Sequence, residues 1–91
     1  EFVILLPDTK RDEALILAEL VRGEIANKPF TIHDSLDESN KQMMVRITAS
    51  IGVSTAPEDA EDTLALIRHA DRALYTGAKQ AGRNRVAQYV K

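Results

Sequence analysis

The sequence predicts an α+β domain, an antiparallel sheet with helices packed on it, in the order strand, helix, strand, strand, helix, strand. Three observations carry that reading. Phe2–Leu6 is an unbroken apolar run of strand length. Val45, Ile47, Ala49, Ile51 and Val53 alternate with smaller or polar residues, as in a strand with one buried face. Two stretches, one after Thr9 and one after Pro57, space their apolar residues as helices do. Elements mixed in this way form a helix layer on a sheet.

The run at residues 2–6 has no polar face, so it suits a strand covered on both sides. Such a strand needs neighbours on either side. The 91 residues are therefore expected to be part of a larger domain, truncated at the N-terminus. Pro7 closes the run, and Thr9 with Asp12 has the spacing of a capping box. A helix is expected from there to about Asn27, with Ala14, Leu17, Ala18, Val21 and Ile25 as its buried stripe; Asn27-Lys28-Pro29 stops it.

Residues 30–33 read as a short strand, 34–41 as a polar loop and 42–54 as a longer strand, the two strands forming an antiparallel hairpin. Gly52 inside it marks a kink or a close backbone approach. Glu58, Asp59, Glu61 and Asp62 suit the start of a second helix, whose stripe is Ile67, Ala70, Leu74, Ala78 and Ala81. Gly82 is the expected C-terminal cap, and Arg85–Val90 a last strand.

Composition narrows the chemistry. With no cysteine, a disulfide scaffold, a thiolate metal site and a cysteine nucleophile are excluded. No apolar run approaches the ~20 residues that span a bilayer. The net charge of −2 hides an asymmetry: residues 1–67 carry 13 acids and 6 bases, while residues 68–91 carry Asp71 against six bases. Clustered cations suggest an anionic partner, although cations also favour a helix C-terminus for their own sake. His33 and His69 have no second ligand at metal-binding spacing and read as surface or packing residues.

Three stretches, "EFVILLPDT", "ITASIGVST" and "ADRALYTGAKQAGRNRV", stand in an order and at separations that resemble the C-terminal half of a GGDEF domain, the diguanylate cyclase family. Glu1 and Phe2 match the last two letters of the signature, and residues 1–91 would form a partial GGDEF domain with a ferredoxin-like, nucleotidyl-cyclase palm. The resemblance implies condensation of two GTP to cyclic di-GMP with release of two pyrophosphates, Mg²⁺ or Mn²⁺ as cofactor, and a homodimer of GGDEF domains. It also implies a bacterial signalling protein with a sensor or receiver domain upstream and a cytoplasmic location, the parent being free to carry a membrane anchor. Neither nucleic-acid binding nor direct membrane contact is expected.

Residue by residue, Glu1 takes the fourth signature position, implicated in catalysis and metal binding. Lys79 and Arg83 match the basic pair of the "AKxxGRN" ending that reaches the GTP phosphates. Four residues apart on a helix, they would share a face, and lysine with arginine grips a polyphosphate well. The family's inhibitory site for cyclic di-GMP, an Arg-x-x-Asp motif, would lie upstream of Glu1, and the second arginine that some members contribute to it from the helix after the signature would fall near Leu20, where only Arg22 is close.

The match departs in one place. The family usually reads Tyr-x-Ala-Lys, whereas Tyr75-Thr76-Gly77-Ala78-Lys79 holds one residue more. An extra helical residue turns everything after it by about 100° unless a π-bulge absorbs it. A π-bulge or wide turn is therefore expected near Thr76–Ala78, leaving Lys79 on the side of Glu1. The metal aspartate, guanine-reading residues and turn glycines would lie upstream of Glu1, so the 91 residues alone are expected to be inactive. The alternative reading is a degenerate GGDEF domain that binds GTP or cyclic di-GMP, or dimerises, and regulates a neighbouring domain.

Overall fold

The structure, a computed structural model, describes residues 1–33 and 42–91. The loop expected at 34–41 lies outside the described residues.

The chain is α+β, as its patterning predicts. Helix α1 spans Arg11–Asn27 and is followed by strands β1 (Phe30–His33), β2 (Gln42–Val45) and β3 (Ile51–Val53). Helix α2 (Thr63–Arg72) runs directly into a π-helical segment, Ala73–Lys79, before strand β4 (Val86–Gln88). β1 and β2 pair antiparallel, Phe30 opposite Val45 and His33 opposite Gln42, as the hairpin reading requires.

β3 and β4 form a second, separate pair that is parallel, with Ile51 opposite Val86 and Val53 opposite Gln88. The single antiparallel sheet expected from the sequence is therefore not what forms among the described residues: one pair is antiparallel and the other parallel. A chain that leaves β3, crosses through a helix and returns re-enters in the same direction, which a hairpin cannot do. The long strand expected over 42–54 is also broken into β2 and β3, because its two ends pair with different partners.

The run 2–6 is the largest departure. It forms no strand, and Phe2 is 99% exposed. A strand exists only where its backbone groups find a ladder partner. Among the described residues none pairs with it. The capping box also does not form: Thr9 donates its hydroxyl to the Pro7 carbonyl at 2.9 Å, and Lys10 stands at the N-cap without a side-chain bond. Asp62 does cap α2, accepting from the Ala65 amide at 3.2 Å.

The buried apolar side chains are small. Ala14, Ala73 and Ala78 are buried, and no large side chain among the described residues is fully enclosed. The expected stripe of α1 is directed instead at an open groove of about 1250 Å³. Ile51 and Val53 lie on its β3 side, Ala14, Leu17 and Val21 on the α1 side, Ala70 and Leu74 on the α2 side, and the apolar run 2–6 also borders it. Gly52 provides the expected close approach. A Cβ there would collide with the Ala70 carbonyl oxygen and the Leu74 amide nitrogen, so α2 can lie on β3 only because Gly52 has no side chain.

Candidate functional site

The second helix ends in a segment whose geometry follows from its extra residue. Gln80 N–H donates to the Tyr75 carbonyl five residues back at 3.1 Å, which is the π pattern. The Thr76 hydroxyl donates to the Arg72 carbonyl at 2.8 Å within the widened turn. Gly77 faces β4 there, where a Cβ would lie 2.6 Å from the Ala87 Cβ. The π-helix at Ala73–Lys79 is the feature expected near Thr76–Ala78, and it is longer than a single bulge.

The segment closes in a Schellman motif. Gly82 N–H donates to Lys79 O at 3.4 Å and Arg83 N–H to Ala78 O at 2.9 Å, with Gly82 at φ 118°. Gly82 is therefore the cap, as its sequence position predicts. Arg83 and Asn84 follow with φ of 64° and 49°, so the chain stays left-handed for three residues. Asn84 N–H then donates to Ser50 Oγ at 3.2 Å just before β3.

These contacts decide where the singled-out residues stand. Glu1 and Lys79 border the same groove, Glu1 exposed and Lys79 half-buried. Arg83 is exposed on the turn beyond the helix and outside that lining. The expectation that Lys79 and Arg83 share a helical face does not hold, because the helix has ended before Arg83; what relates them is the capping turn.

No cluster of three His, Asp or Glu side chains suited to a metal occurs among the described residues. Magnesium is commonly held by one or two carboxylates together with substrate phosphates. Glu1 is an exposed carboxylate on the border of the groove and belongs to no such cluster. His69 stacks on Tyr89 with ring centroids 4.1 Å apart, a packing role.

Sequence reasoning passed over one contact at this site. Arg22 of α1 donates from Nη1 to Asn84 Oδ1 at 2.7 Å, across a separation of 62 residues. Its Nε donates to both carboxylate oxygens of Glu19 at 3.0 and 2.9 Å, and its Nη2 also bonds Oε1. That hydrogen bond holds the exposed Glu19 carboxyl below the usual carboxylate range and raises the Arg22 guanidinium.

Comparison with known proteins shows the family to which the chain belongs. Residues 1–85 match the family described as diguanylate cyclase, GGDEF domain. The chain belongs to the GGDEF family. Its α+β build with two helices and short sheets is consistent with the palm-like fold of GGDEF domains. The response regulator PleD of Caulobacter vibrioides is 37% identical over 86 residues, covering 94% of this chain and 17% of that protein. The biofilm architecture maintenance protein MbaA of Vibrio cholerae is 41% identical over 91 residues, covering 98% of this chain and 10% of that protein. Diguanylate cyclase A of Treponema denticola is 36% identical over 86 residues, covering 94% of this chain and 21% of that protein. This GGDEF chain thus spans about a fifth or less of the length of these relatives. No solved structure matches it. Among the described residues no helix is long and apolar enough to cross a membrane.

Proposed function

We propose that these residues are the C-terminal part of a diguanylate cyclase domain that condenses two GTP into cyclic di-GMP and two pyrophosphates. The observation that carries the reading is the family match over residues 1–85, which takes in Glu1, Lys79 and Arg83. The apolar run 2–6 and the open groove it borders support a domain completed by further strands.

Each domain of a facing pair would hold one GTP. The 3′-hydroxyl of each nucleotide attacks the α-phosphorus of the other; in each of the two steps the new P–O bond forms as the bond to the α,β-bridging oxygen breaks, one pyrophosphate leaves, and the hydroxyl proton passes to solvent. Such chemistry rests mostly on positioning and on stabilising developing charge. Lys79, on the groove, supplies a compact point charge to the polyphosphate. Arg83, at the turn, supplies a planar fork of donors. Glu1 would hold a divalent cation together with the substrate phosphates, and the ion would offset phosphate charge and acidify the attacking hydroxyl. The partner in this account is a second GGDEF domain, and the expected upstream neighbour is a sensor or receiver domain.

The test uses the full-length protein. GTP binding and cyclic di-GMP formation are measured for the parent, Lys79→Ala and Arg83→Ala. Each substitution is expected to raise the KM for GTP about tenfold, the loss of one charge-assisted phosphate contact. Unchanged KM in both variants would remove Lys79 and Arg83 from the site. GTP binding without product would support the regulatory-module reading instead.

A further inference from the structure

We propose that Arg22 is a positioning residue that fixes the direction in which Arg83 leaves its turn toward the nucleotide phosphates; the proposal rests on the function just described. Arg83 and Asn84 are non-glycine residues held at φ of 64° and 49°. Side chains adopt such backbone reluctantly, and it persists only where the surroundings hold it. The Schellman bonds secure the turn from the helix side, and Ser50 Oγ takes the Asn84 amide at 3.2 Å from the β3 side. Arg22 supplies the third hold, donating from Nη1 to Asn84 Oδ1 at 2.7 Å.

What makes that hold directional is Glu19. One turn away on α1, its carboxylate takes Nε at 3.0 and 2.9 Å and also takes Nη2, leaving Nη1 to meet Asn84. A planar guanidinium pinned along one edge presents its remaining donors in a fixed direction, which a flexible ammonium cannot do. Glu19 also offsets the Arg22 charge, so the clamp adds little repulsion beside Arg83.

The experiment is a double-mutant cycle in the full-length protein, with GTP affinity by calorimetry and amide hydrogen exchange at Arg83 and Asn84 as readouts. Arg22→Ala is expected to weaken GTP about tenfold and to speed exchange at the turn. In an Arg83→Ala background it should change GTP affinity no further, because it acts through Arg83. Arg22→Lys should not rescue. Asn84→Gly keeps the left-handed backbone, removes the acceptor and should reproduce the loss, which guards against a folding defect in the arginine variant.

Additive losses in the cycle, or an unchanged affinity in Arg22→Ala and Asn84→Gly while the parent binds GTP, would overturn this proposal alone. A parent protein that binds no GTP would overturn the proposed function and this role with it, whatever the turn does.

Discussion

Replacing Gly52 by alanine should destabilise the fold sharply, while the same change at Gly23 should stabilise it. At Gly52 an added Cβ would overlap the Ala70 carbonyl oxygen and the Leu74 amide nitrogen and lie 2.8 Å from the Leu74 Cβ. Two of those three atoms are backbone in or just beyond α2, so relief requires the helix to lift off β3 rather than one side chain to rotate. Overpacking costs about 1–3 kcal/mol, and a backbone clash belongs at the upper end. About 3 kcal/mol corresponds to a fall in Tm of roughly 12–24 °C in a folding unit of about 60–100 residues and roughly 6–12 °C in one of about 150–250. Gly23 lies within α1 with only Asn27 Nδ2 near, at 4.0 Å, so alanine there gains helix propensity, about 0.5–1 kcal/mol. Thermal and urea unfolding of both variants, read by circular dichroism, gives the two differences. A Gly52→Ala protein within about 0.5 kcal/mol of the parent, or two variants shifting the same way, would refute the packing of α2 on β3.

Two further outcomes are expected. Asp59→Ala removes the Arg11 ion pair at 2.6 Å and the acceptor for the Thr55 amide at 2.8 Å, from a side chain only 4% exposed. It should cost about 2 kcal/mol in urea unfolding, as for a lost hydrogen bond to a charged group; no measurable change would contradict the pair. The Glu19 carboxyl is held below its ordinary value of 4.5 in the folded chain, so its contribution to stability is present above that value and is lost as pH falls through the lower folded one. The stability difference between the parent and Glu19→Gln should therefore hold steady from neutral pH to about the ordinary carboxylate value and close in more acid solution. A gap that widens on acidification would contradict the Arg22–Glu19 bond.

What the sequence reveals of this fold is mostly what is local. The extent of α1, the cap at Gly82, the antiparallel hairpin of β1 and β2 and the widened turn at Ala73–Lys79 all follow from neighbouring residues. The π segment was legible because one surplus residue in a helix has few ways of being absorbed. The run 2–6 was not, because apolar character states a demand for a partner strand and cannot supply one. The parallel pairing of β3 with β4 depends on a crossover through α2, and the bond from Arg22 to Asn84 joins residues 62 apart, so neither leaves a trace in local spacing. At the candidate site, Glu1 and Lys79 border one groove as their motif positions suggest, while Arg83 belongs to the capping turn and not to a helical face.

The central claim is tested most directly by incubating the full-length protein with GTP and Mg²⁺ and quantifying cyclic di-GMP together with released pyrophosphate. The account predicts product at two pyrophosphates per cyclic di-GMP, from the reaction stoichiometry, and a rate about tenfold lower in Lys79→Ala when GTP is well below KM. GTP that stays intact, or is merely hydrolysed to GDP and phosphate, would contradict it.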